Sequence, residues 1–481
     1  MKQLRNFLSM YSVHYPAAIV FMLQSTEYQA KPYLAWYWRT YNFSTVMVRR
    51  TLDYTKAARL LLLALRSAML VQIIIAAIFT GYGIQSSEWI YISVGAVLII
   101  LNPVIWAHLL TVPLMLGRKL ISEPQEKQLV KESEAIFSAH PGVKIAVAGS
   151  YGKTTMKELL LTVLGESKIV AATPANKNVS ISHAYFARKL TGEEEVLIIE
   201  YGEGAPGDVA RFANITAPTH AVITGLAAAH LDRYKTVDAA GRDIFSVADY
   251  LGGKHVFVNR ESPDIAPFIQ PTFELFDRHA ALGWKITDVY VSLGGMDFKL
   301  TKGRQSLKLT TSLVGRHQLG FLALVAALAL QLGLDFEQVR AGVAKTRPFE
   351  HRMQPYELAG GWVIDDTYNG NLEGLRAGTQ LLAELPAKRK IYVTPGLVDQ
   401  GDQREPVHIA AGKLIAASGA DLVVLMKNSV TGYIQRGLSE AGYAKEIRIE
   451  ENPLEFYTNL NHFVARGDLV LMQNDWTDNY A

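Results

Sequence analysis

Two long apolar stretches near the N-terminus, residues 67–87 and 89–117, contain no Asp, Glu, Lys or Arg. Each is long enough to cross about 30 Å of hydrocarbon as a helix. The short turn between them, residues 85–88, carries no basic residue, whereas both outer sides do. These flanking residues are Arg49, Arg50, Lys56, Arg59, Arg66, Arg118 and Lys119. The pattern predicts two transmembrane helices with both outer flanks in the cytoplasm. The alternative is a buried helical hairpin of a soluble domain.

A third uncharged stretch, residues 6–26, is less apolar and is either another span or an interfacial segment. The chain then becomes aromatic and basic, with Tyr33, Trp36, Tyr37, Trp38 and Tyr41. Such side chains suit a lipid headgroup region, and they also suit the core contacts of a solvent-facing helix. We expect a membrane region at 1–122, followed by a polar, helical linker at 123–140.

Beyond the linker, short apolar runs alternate with helical patterns. The strand candidates are residues 145–148, 196–199, 221–224, 255–258, 362–364, 391–393, 422–425 and 469–472. This alternation predicts an α/β fold with parallel sheets that helices cover on both faces. The interval 289–313 instead alternates apolar and polar residues, which predicts an added β-hairpin.

One glycine-containing segment follows the first of these strand candidates and precedes a helical pattern at 156–164. It consists of Gly149, Ser150, Tyr151, Gly152, Lys153, Thr154 and Thr155. A strand, a glycine loop, Lys-Thr and a helix form a phosphate cradle, because backbone N–H groups and the helix N-terminus face the anion. Lys153 would supply a mobile positive charge, and Thr154 a hydroxyl for Mg²⁺. The two glycines are closer together than in the usual phosphate loop, and an ordinary turn is the alternative.

Titratable residues stand at the carboxyl ends of three strand candidates, where parallel sheets bind their ligands. Glu200 ends one strand, His230 follows a second, and Asp365 and Asp366 end a third. Each also has a plainer explanation. Glu200 could cap the next helix, His230 could be a loop histidine with satisfied hydrogen bonds, and the aspartates could hold a turn.

Composition narrows the possible functions. A length of 481 residues suggests two or three domains. The net charge of +3 gives no electrostatic basis for binding nucleic acid. The absence of cysteine excludes disulfides, thiolate nucleophiles and cysteine-bound zinc.

Several segments together resemble the Mur ligase superfamily, and especially its MurF type, which joins D-Ala-D-Ala to a UDP-MurNAc-tripeptide. The similarity covers residues 143–481, about two thirds of the chain. The segments are AVAGSYGKTTMKELL, TPANKN, IIEYGEGAPGDV, ITGLAAAHLD, VFVNRESP, RPFEHRMQ and IDDTYNGN. The resemblance implies a central ATP-binding domain with a P-loop at 141–348 and a Rossmann-like C-terminal domain at 349–481.

The resemblance also implies the chemistry and the residues that perform it. ATP and Mg²⁺ would convert a carboxylate into an acyl phosphate, which an amine then attacks. Lys153 would face the phosphates, and Thr154, Glu200 and His230 would bind metal. The nucleotide would also meet Gln318, Arg352, Asp366, Tyr368 and Asn369, and the acceptor substrate would meet Thr173, Asn176 and Asn178.

The chain departs from the family at several points. The membrane region stands where the family has its UDP-sugar-binding domain. Arg242 lies near the position at which many members carry a carbamylated lysine, and Gln318 replaces an adenine-contacting asparagine. Residues 179–184 (VSISHA) lack the expected asparagine, glycine and proline, and Leu372 stands where proline is expected. The segment GDLVLMQNDW lacks the basic ending of the MurF type.

Three functions fit these features. The first is a membrane-anchored, ATP-dependent peptide ligase of peptidoglycan precursor synthesis that uses a UDP-linked or lipid-linked acceptor peptide and an amino acid or dipeptide. The second is a ligase of capsule polymer or another lipid-linked precursor, of the poly-γ-glutamate kind. The third is a catalytically degenerate membrane scaffold for wall-synthesis proteins.

Overall fold

The computed structural model describes residues 7–47, 51–174, 177–227, 231–368, 370–398, 400 and 403–474. The chain forms two compact units, Met1–Gln128 and Leu129–Ala481. Each unit has a hydrophobic core of its own, so each is described separately.

The N-terminal unit is helical. Its helices are α1 (Tyr15–Ser25), α2 (Ala30–Arg39), α3 (Lys56–Ser86), α4 (Trp89–Leu109) and α5 (Thr111–Gly117), followed by a π-helical turn (Arg118–Ser122) and the start of α6 (Glu123–Ala139). Thr55 caps α3 by accepting a hydrogen bond from the Ala58 N–H, and Ser87 ends the helix in a left-handed conformation. Both predicted stretches are therefore helical, with α3 beginning about ten residues earlier than its apolar stretch and the second stretch divided between α4 and α5. That they span a membrane stays a prediction.

Helices α3 and α4 pack against each other and are joined by polar side chains. Gly95 allows close approach, because a Cβ there would collide with Thr80. Gln72 Nε2 donates to the Leu98 carbonyl at 2.8 Å, and Asn102 Nδ2 donates to the Met69 carbonyl at 3.0 Å. Asn102 thus has a helix-to-helix contact rather than an exposed position.

Most of the apolar surface of this hairpin is uncovered. Within the described residues, two helices are long and apolar enough to cross a membrane, and only 22% of the most apolar window of each is buried. On α3 the exposed apolar side chains are Leu60, Leu63, Leu70, Val71, Ile73, Ile74, Ile75, Ile78 and Ile84. A core helix of a soluble protein would bury such side chains.

The described part of the stretch at 6–26 is not one continuous helix, because turns at residues 10–14 interrupt it. Helix α1 has 11 residues, of which nine are buried in the core of the N-terminal unit. Tyr15 and Tyr33 attach α1 and α2 to α4 by donating hydrogen bonds to the carbonyls of Pro103 and Ala107, both at 2.9 Å. At about 1.5 Å per residue, α1 is too short to cross a bilayer by itself.

The second unit contains two sheets, as the alternation of strands and helices predicts. The central sheet has ten strands in the order β10-β9-β8-β7-β6-β5-β4-β1-β3-β2. The strands are β1 (Val143–Ala148), β2 (Val170–Ala172), β3 (Val196–Glu200), β4 (His220–Ile223), β5 (Val256–Asn259), β6 (Glu274–Phe276), β7 (Ala280–Ala281), β8 (Trp284–Ser292), β9 (Gly295–Lys302) and β10 (Gln305–Thr311). Strands β1 to β6 are parallel, and the others are antiparallel. The predicted hairpin at 289–313 is therefore part of a three-stranded meander, β8 to β10.

Helices cover both faces of the central sheet. They are α6, α7 (Lys153–Leu164), α8 (Ser180–Ala187), α9 (Asp208–Thr216), α10 (Leu231–Tyr234), α11 (Val237–Tyr250), α12 (Leu319–Gln331) and α13 (Phe336–Lys345). Leu160 of α7 and Leu324 of α12 lie in one core cluster, and Phe212 of α9 and Ile244 of α11 lie in another. Because residues of β1 alternate between the two clusters, the strand is buried on both faces.

The C-terminal sheet has six strands in the order β11-β12-β16-β13-β14-β15. They are β11 (Gln354–Leu358), β12 (Gly361–Asp366), β13 (Arg389–Thr394), β14 (Leu422–Met426), β15 (Glu446–Glu450) and β16 (Asp468–Gln473). The covering helices are α14 (Leu372–Glu384), α15 (Arg404–Ala416), α16 (Thr431–Glu440), α17 (Pro453–Thr458) and α18 (Leu460–Phe463). All neighbouring strands are parallel except the edge pair β11 and β12. The fold is accordingly α/β with mixed sheets in both domains.

Candidate active site

The loop between β1 and α7 has the geometry of a phosphate cradle. Gly149 and Gly152 have positive φ angles of 140° and 74°, which glycine adopts most readily. A Cβ on Gly152 would stand 2.7 Å from the Phe321 ring. The Thr224 hydroxyl, just after β4, donates to the carbonyl of Tyr151 at 2.5 Å and fixes the loop from the neighbouring strand. Helix α7 begins at Lys153, so its N-terminus points toward the loop.

Lys153 is held at the mouth of this loop. Its ammonium donates to the Gly149 carbonyl at 2.5 Å and to Glu203 Oε2 at 2.6 Å. The side chains of Lys153 and Glu203 are only 12% and 4% exposed. The positive charge predicted for the phosphates is therefore present, and a buried carboxylate neutralises it.

Glu200, the last residue of β3, lies beside the first turn of α7. Its Oε1 accepts a hydrogen bond from the Thr154 hydroxyl at 3.1 Å. Its Oε2 lies 3.3 Å from the ammonium of Lys157, a distance typical of an ion pair, but receives no hydrogen bond. Gly207 is the N-cap of the following helix α9, so Glu200 does not have the capping role that was its alternative.

The donor set beside Glu200 suits a hard divalent cation. A buried carboxylate oxygen without a hydrogen bond and an adjacent hydroxyl are the oxygen ligands that Mg²⁺ prefers. Within the described part of the chain, no group of three His, Asp or Glu side chains is close enough to hold a metal ion. The predicted metal ligand His230 lies outside the described residues.

A cavity of about 180 Å³ separates the phosphate loop from the C-terminal domain. Seven predicted site residues line it: Tyr151, Gly152, Thr155, Gln318, Arg352, Asp366 and Tyr368. The Arg352 guanidinium lies 4.3 Å from the centre of the Tyr368 ring, a cation–π contact. Residues more than 200 positions apart are thus brought to one site by the carboxyl ends of the two sheets.

Asp366 is the most perturbed carboxyl in this cavity. It accepts hydrogen bonds from Gln473 Nε2 at 2.7 Å and from the Met353 N–H at 3.1 Å. Burial raises the pKa of Asp366 to about 7, although Gln473 and Arg352 act in the opposite direction. Asp365 instead holds the adjacent turn, since it accepts from the Thr367 N–H at 3.0 Å and pairs with His351 at 2.7 Å.

Gln318 is oriented by its neighbour. Its amide nitrogen lies 3.0 Å from His317 Nε2, and because an amide NH₂ only donates, the imidazole accepts this hydrogen bond. Burial, with a smaller contribution from Arg278, lowers the pKa of His317 to about 4. His317 is therefore neutral at pH 7, and the carbonyl oxygen and second N–H of Gln318 remain for other partners.

The predicted acceptor residues lie behind Glu200. The Thr173 hydroxyl accepts from the Glu200 N–H at 3.0 Å, and the Thr173 carbonyl accepts from Lys157 Nζ at 3.0 Å. The Asn178 carbonyl accepts from the Gly202 N–H at 2.9 Å. Thr173 and Asn178 thus support the backbone around Glu200. Asn176 and Asn369 lie outside the described residues.

Arg242 has a surface position. Its side chain is 68% exposed and pairs with Asp238, one helical turn earlier. The next residue, Asp243, is buried and accepts hydrogen bonds from the Gly207 N–H at 2.8 Å and the Tyr234 hydroxyl at 2.7 Å. The structure therefore gives Arg242 an exposed ion pair as its observed contact.

Comparison with known proteins identifies the family. The sequence profile named Mur ligase middle domain matches residues 147–329, and the profile named Mur ligase, glutamate ligase domain matches residues 351–473. Together they cover well over half of the chain. The chain belongs to the Mur ligase superfamily. It is therefore an ATP-dependent ligase that forms amide bonds, as the sequence resemblance implied.

Curated Mur ligases of the MurF type match the same region. The UDP-N-acetylmuramoyl-tripeptide–D-alanyl-D-alanine ligase of Escherichia coli is 28% identical over 337 residues, 64% of this chain and 72% of that enzyme. The enzymes of the same name from Synechocystis and Mycobacterium leprae are 29% and 27% identical, and the matches cover 62% and 70% of their lengths.

Solved structures agree on the Mur ligase fold. MurF from Acinetobacter baumannii has a TM-score of 0.64 at 20% identity, covering 73% of this chain and 77% of that one. MurF from Thermotoga maritima in complex with ADP has a TM-score of 0.63 at 21% identity, covering 73% and 80%. At this identity the similarity establishes the fold alone.

Proposed function

We propose that this protein is a membrane-anchored, MurF-like ligase that adds an amine substrate, D-Ala-D-Ala or a related dipeptide, to the stem peptide of a peptidoglycan precursor. The observation that carries the proposal is the cavity in which the phosphate loop meets Arg352 and Asp366 across two Mur ligase domains. The curated relatives named as D-alanyl-D-alanine ligases support the substrate class.

The proposed reaction proceeds in two steps. A carboxylate oxygen of the acceptor peptide attacks the γ-phosphorus of ATP, and ADP leaves. The amine then attacks the acyl carbon, inorganic phosphate leaves, and the nitrogen loses a proton. Such phosphoryl transfer depends on positioning and charge neutralisation. In this chain Lys153 and the N-terminus of α7 supply positive charge where the phosphates would bind.

Magnesium fits the proposed site at Glu200 and Thr154. The Oε2 of Glu200, which accepts no hydrogen bond, and the Thr154 hydroxyl would hold the ion, with His230 as a further ligand by family resemblance. When bound, Mg²⁺ would offset charge on the terminal phosphates. Lys157 and the Thr173 hydroxyl hold the Glu200 side chain and backbone in place for this role.

The membrane part of the proposal rests on α3 and α4. Their apolar side chains are mostly exposed, and water-exposed apolar surface is unfavourable by roughly 25 cal/mol per Å². A bilayer would remove that surface from water. Basic residues on both outer flanks support an orientation with the catalytic unit in the cytoplasm, at the cytoplasmic membrane.

The test is amine-dependent phosphate release by the detergent-solubilised full chain with ATP, Mg²⁺, D-Ala-D-Ala and a muramoyl tripeptide acceptor. Wild type should release phosphate only when both the amine and the acceptor are present, and Lys153→Ala should lower the rate by two orders of magnitude or more. If wild type and Lys153→Ala both stay at the background rate with every acceptor, the ligase function fails and a scaffold role gains support.

A further inference from the structure

The ion pair between Lys153 and Glu203 is the feature that neither the sequence motif nor the family match accounts for. Glu203 lies three residues after Glu200, outside β3. Its carboxylate accepts a hydrogen bond from the Lys153 ammonium at 2.6 Å. The pair is nearly excluded from solvent. In such surroundings the attraction between opposite charges is much stronger than on an exposed surface.

Glu203 is held in this position by a braced loop. The carbonyl of Gly204 accepts from Arg233 at 2.8 Å, and the carbonyl of Ala205 lies 3.1 Å from the Tyr234 hydroxyl oxygen, whose single proton it shares with Asp243. Asp243 joins the loop to the same tyrosine, because it accepts from both the Gly207 N–H and the Tyr234 hydroxyl. The backbone that carries Glu203 is therefore fixed by helices α10 and α11.

The Lys153 ammonium cannot pair fully with both the Glu203 carboxylate and a bound phosphate group. Its ammonium has three N–H donors, and two of them are already used by the Gly149 carbonyl and the Glu203 carboxylate. The terminal phosphates of a nucleotide would bring further negative charge into the same small volume, beside Glu203. Phosphate and Glu203 would then compete for Lys153, and their mutual repulsion would oppose binding.

We propose that Glu203 is the resting counter-ion of Lys153, and that a nucleoside triphosphate must displace this carboxylate from the lysine in order to bind. The proposal rests on the nucleotide-binding function proposed above. In this proposal Glu203 is a positioning residue. Its carboxylate holds the Lys153 ammonium at the mouth of the loop and weakens nucleotide affinity, because the phosphates must replace it as the partner of Lys153.

The test is the affinity of the full chain in detergent for AMP-PNP, a non-hydrolysable ATP analogue, measured by titration calorimetry with Mg²⁺. Glu203→Gln keeps the shape of the side chain and removes its charge. We expect it to bind AMP-PNP about tenfold more tightly than wild type, because the carboxylate no longer competes. A merely structural role for Glu203 would produce weaker binding.

A matched variant separates the ion pair from general electrostatics. Asp208→Asn removes one negative charge five residues further along the chain, from a carboxylate that pairs with Arg211 rather than with Lys153. Its affinity should stay within twofold of wild type. Equal or weaker binding by Glu203→Gln, or the same gain in both variants, would overturn the proposal. If wild type itself binds no AMP-PNP, the proposed nucleotide function fails instead.

Discussion

At the scale of single residues, the pKa of Asp366 is raised by burial and lowered by the Gln473 amide and the Arg352 cation. Gln473, at the end of β16, donates a hydrogen bond to Asp366 but carries no charge, and burial has the largest effect on the pKa of Asp366. A cation in place of the Gln473 amide would favour the ionised form of Asp366 far more than the amide does. Gln473 lies in the segment GDLVLMQNDW, which by sequence resemblance lacks the basic ending of the MurF type.

Replacing Gln473 should therefore move the pH dependence of the enzyme. Gln473→Lys should lower the pKa of Asp366 by about one to three units, whereas Gln473→Leu should raise it because a hydrogen bond to the carboxylate is lost. The measurement is the pH profile of kcat/KM between pH 5 and 9. The two variants should shift the midpoint near pH 7 in opposite directions, and coincident profiles would refute the role of Gln473.

The same carboxyl should make folding stability depend on pH. Since the folded-state pKa is raised to about 7, the folded chain holds a proton that the unfolded chain has already released above its usual Asp pKa near 4. Stability from this group is present below pH 4 and is lost as pH rises to 7. Asp366→Asn should remove this component, so its free energy of unfolding should fall less steeply over that interval in denaturant titrations. Parallel slopes would contradict the raised pKa.

At the scale of elements, Gly152 of the phosphate loop differs from Gly333, a glycine outside the site, in what an added Cβ would contact. Gly152 combines a positive φ with contact to the Phe321 ring, whereas Gly333, just after α12, has a positive φ of 97° and open space around it. The backbone strain of an added Cβ is common to both positions, but only Gly152 adds a collision inside the site.

Alanine substitutions at Gly152 and Gly333 should separate the effect of backbone strain from that of the collision with Phe321. Gly152→Ala should lower the affinity for AMP-PNP tenfold or more, because the ring of Phe321 or the loop must move. Gly333→Ala should lose about 1 kcal/mol of stability and retain affinity. Calorimetric titration and thermal unfolding of both variants provide the check. Equal affinities would mean that the loop geometry does not determine binding.

Helix α3 offers a test of membrane insertion at the same scale. Ile74 and Ile78 lie one turn apart and are about half to two thirds exposed. Replacing both with Lys should reduce the carbonate-resistant membrane fraction severalfold, since each lysine at the centre of a span is unfavourable by about 2.5–3.5 kcal/mol. The control replaces two exposed residues of the second unit, Ile169 and Ile449, with Lys. Equal membrane retention in the two double variants would argue against a spanning α3.

The elements that the sequence predicts well are those with strong local patterns. All eight predicted strands exist, because parallel strands buried on both faces are continuous apolar runs. The missed strands β2, β6, β7, β11 and β15 are short or lie at or near sheet edges, and β15 (EIRIE) is mixed in polarity. Their pairing depends on neighbours far along the chain, which local periodicity does not contain.

The residues of the candidate site likewise divide into those visible in local motifs and those whose roles depend on distant contacts. The phosphate loop and the residues at strand ends are visible as motifs, and the structure collects seven of the predicted residues in one cavity. Glu203 and Gln473 were not predicted as site residues, because their roles depend on Lys153 and Asp366, which are 50 and 107 residues away. Arg242 lies near the position at which many family members carry a carbamylated lysine, and the structure places it on the exposed face of its helix.

At the scale of the whole molecule, a Mur ligase catalytic unit and a helical unit occupy one chain. The family profiles match residues 147–329 and 351–473, and the helical unit precedes both matches along the chain. With the membrane anchor proposed above, we expect the enzyme to favour an acceptor that lies at the membrane. A lipid-linked acceptor would meet a membrane-anchored enzyme at the same surface, which raises its effective concentration.

The most direct measurement is phosphate release by the detergent-solubilised chain with ATP, Mg²⁺ and D-Ala-D-Ala, with UDP-linked and lipid-linked tripeptide acceptors compared side by side. We expect D-Ala-D-Ala-dependent turnover, with the lipid-linked acceptor giving the higher kcat/KM. Turnover with the UDP-linked acceptor alone would contradict the proposed role of the helical unit, and no turnover with either acceptor would contradict the MurF-like function itself.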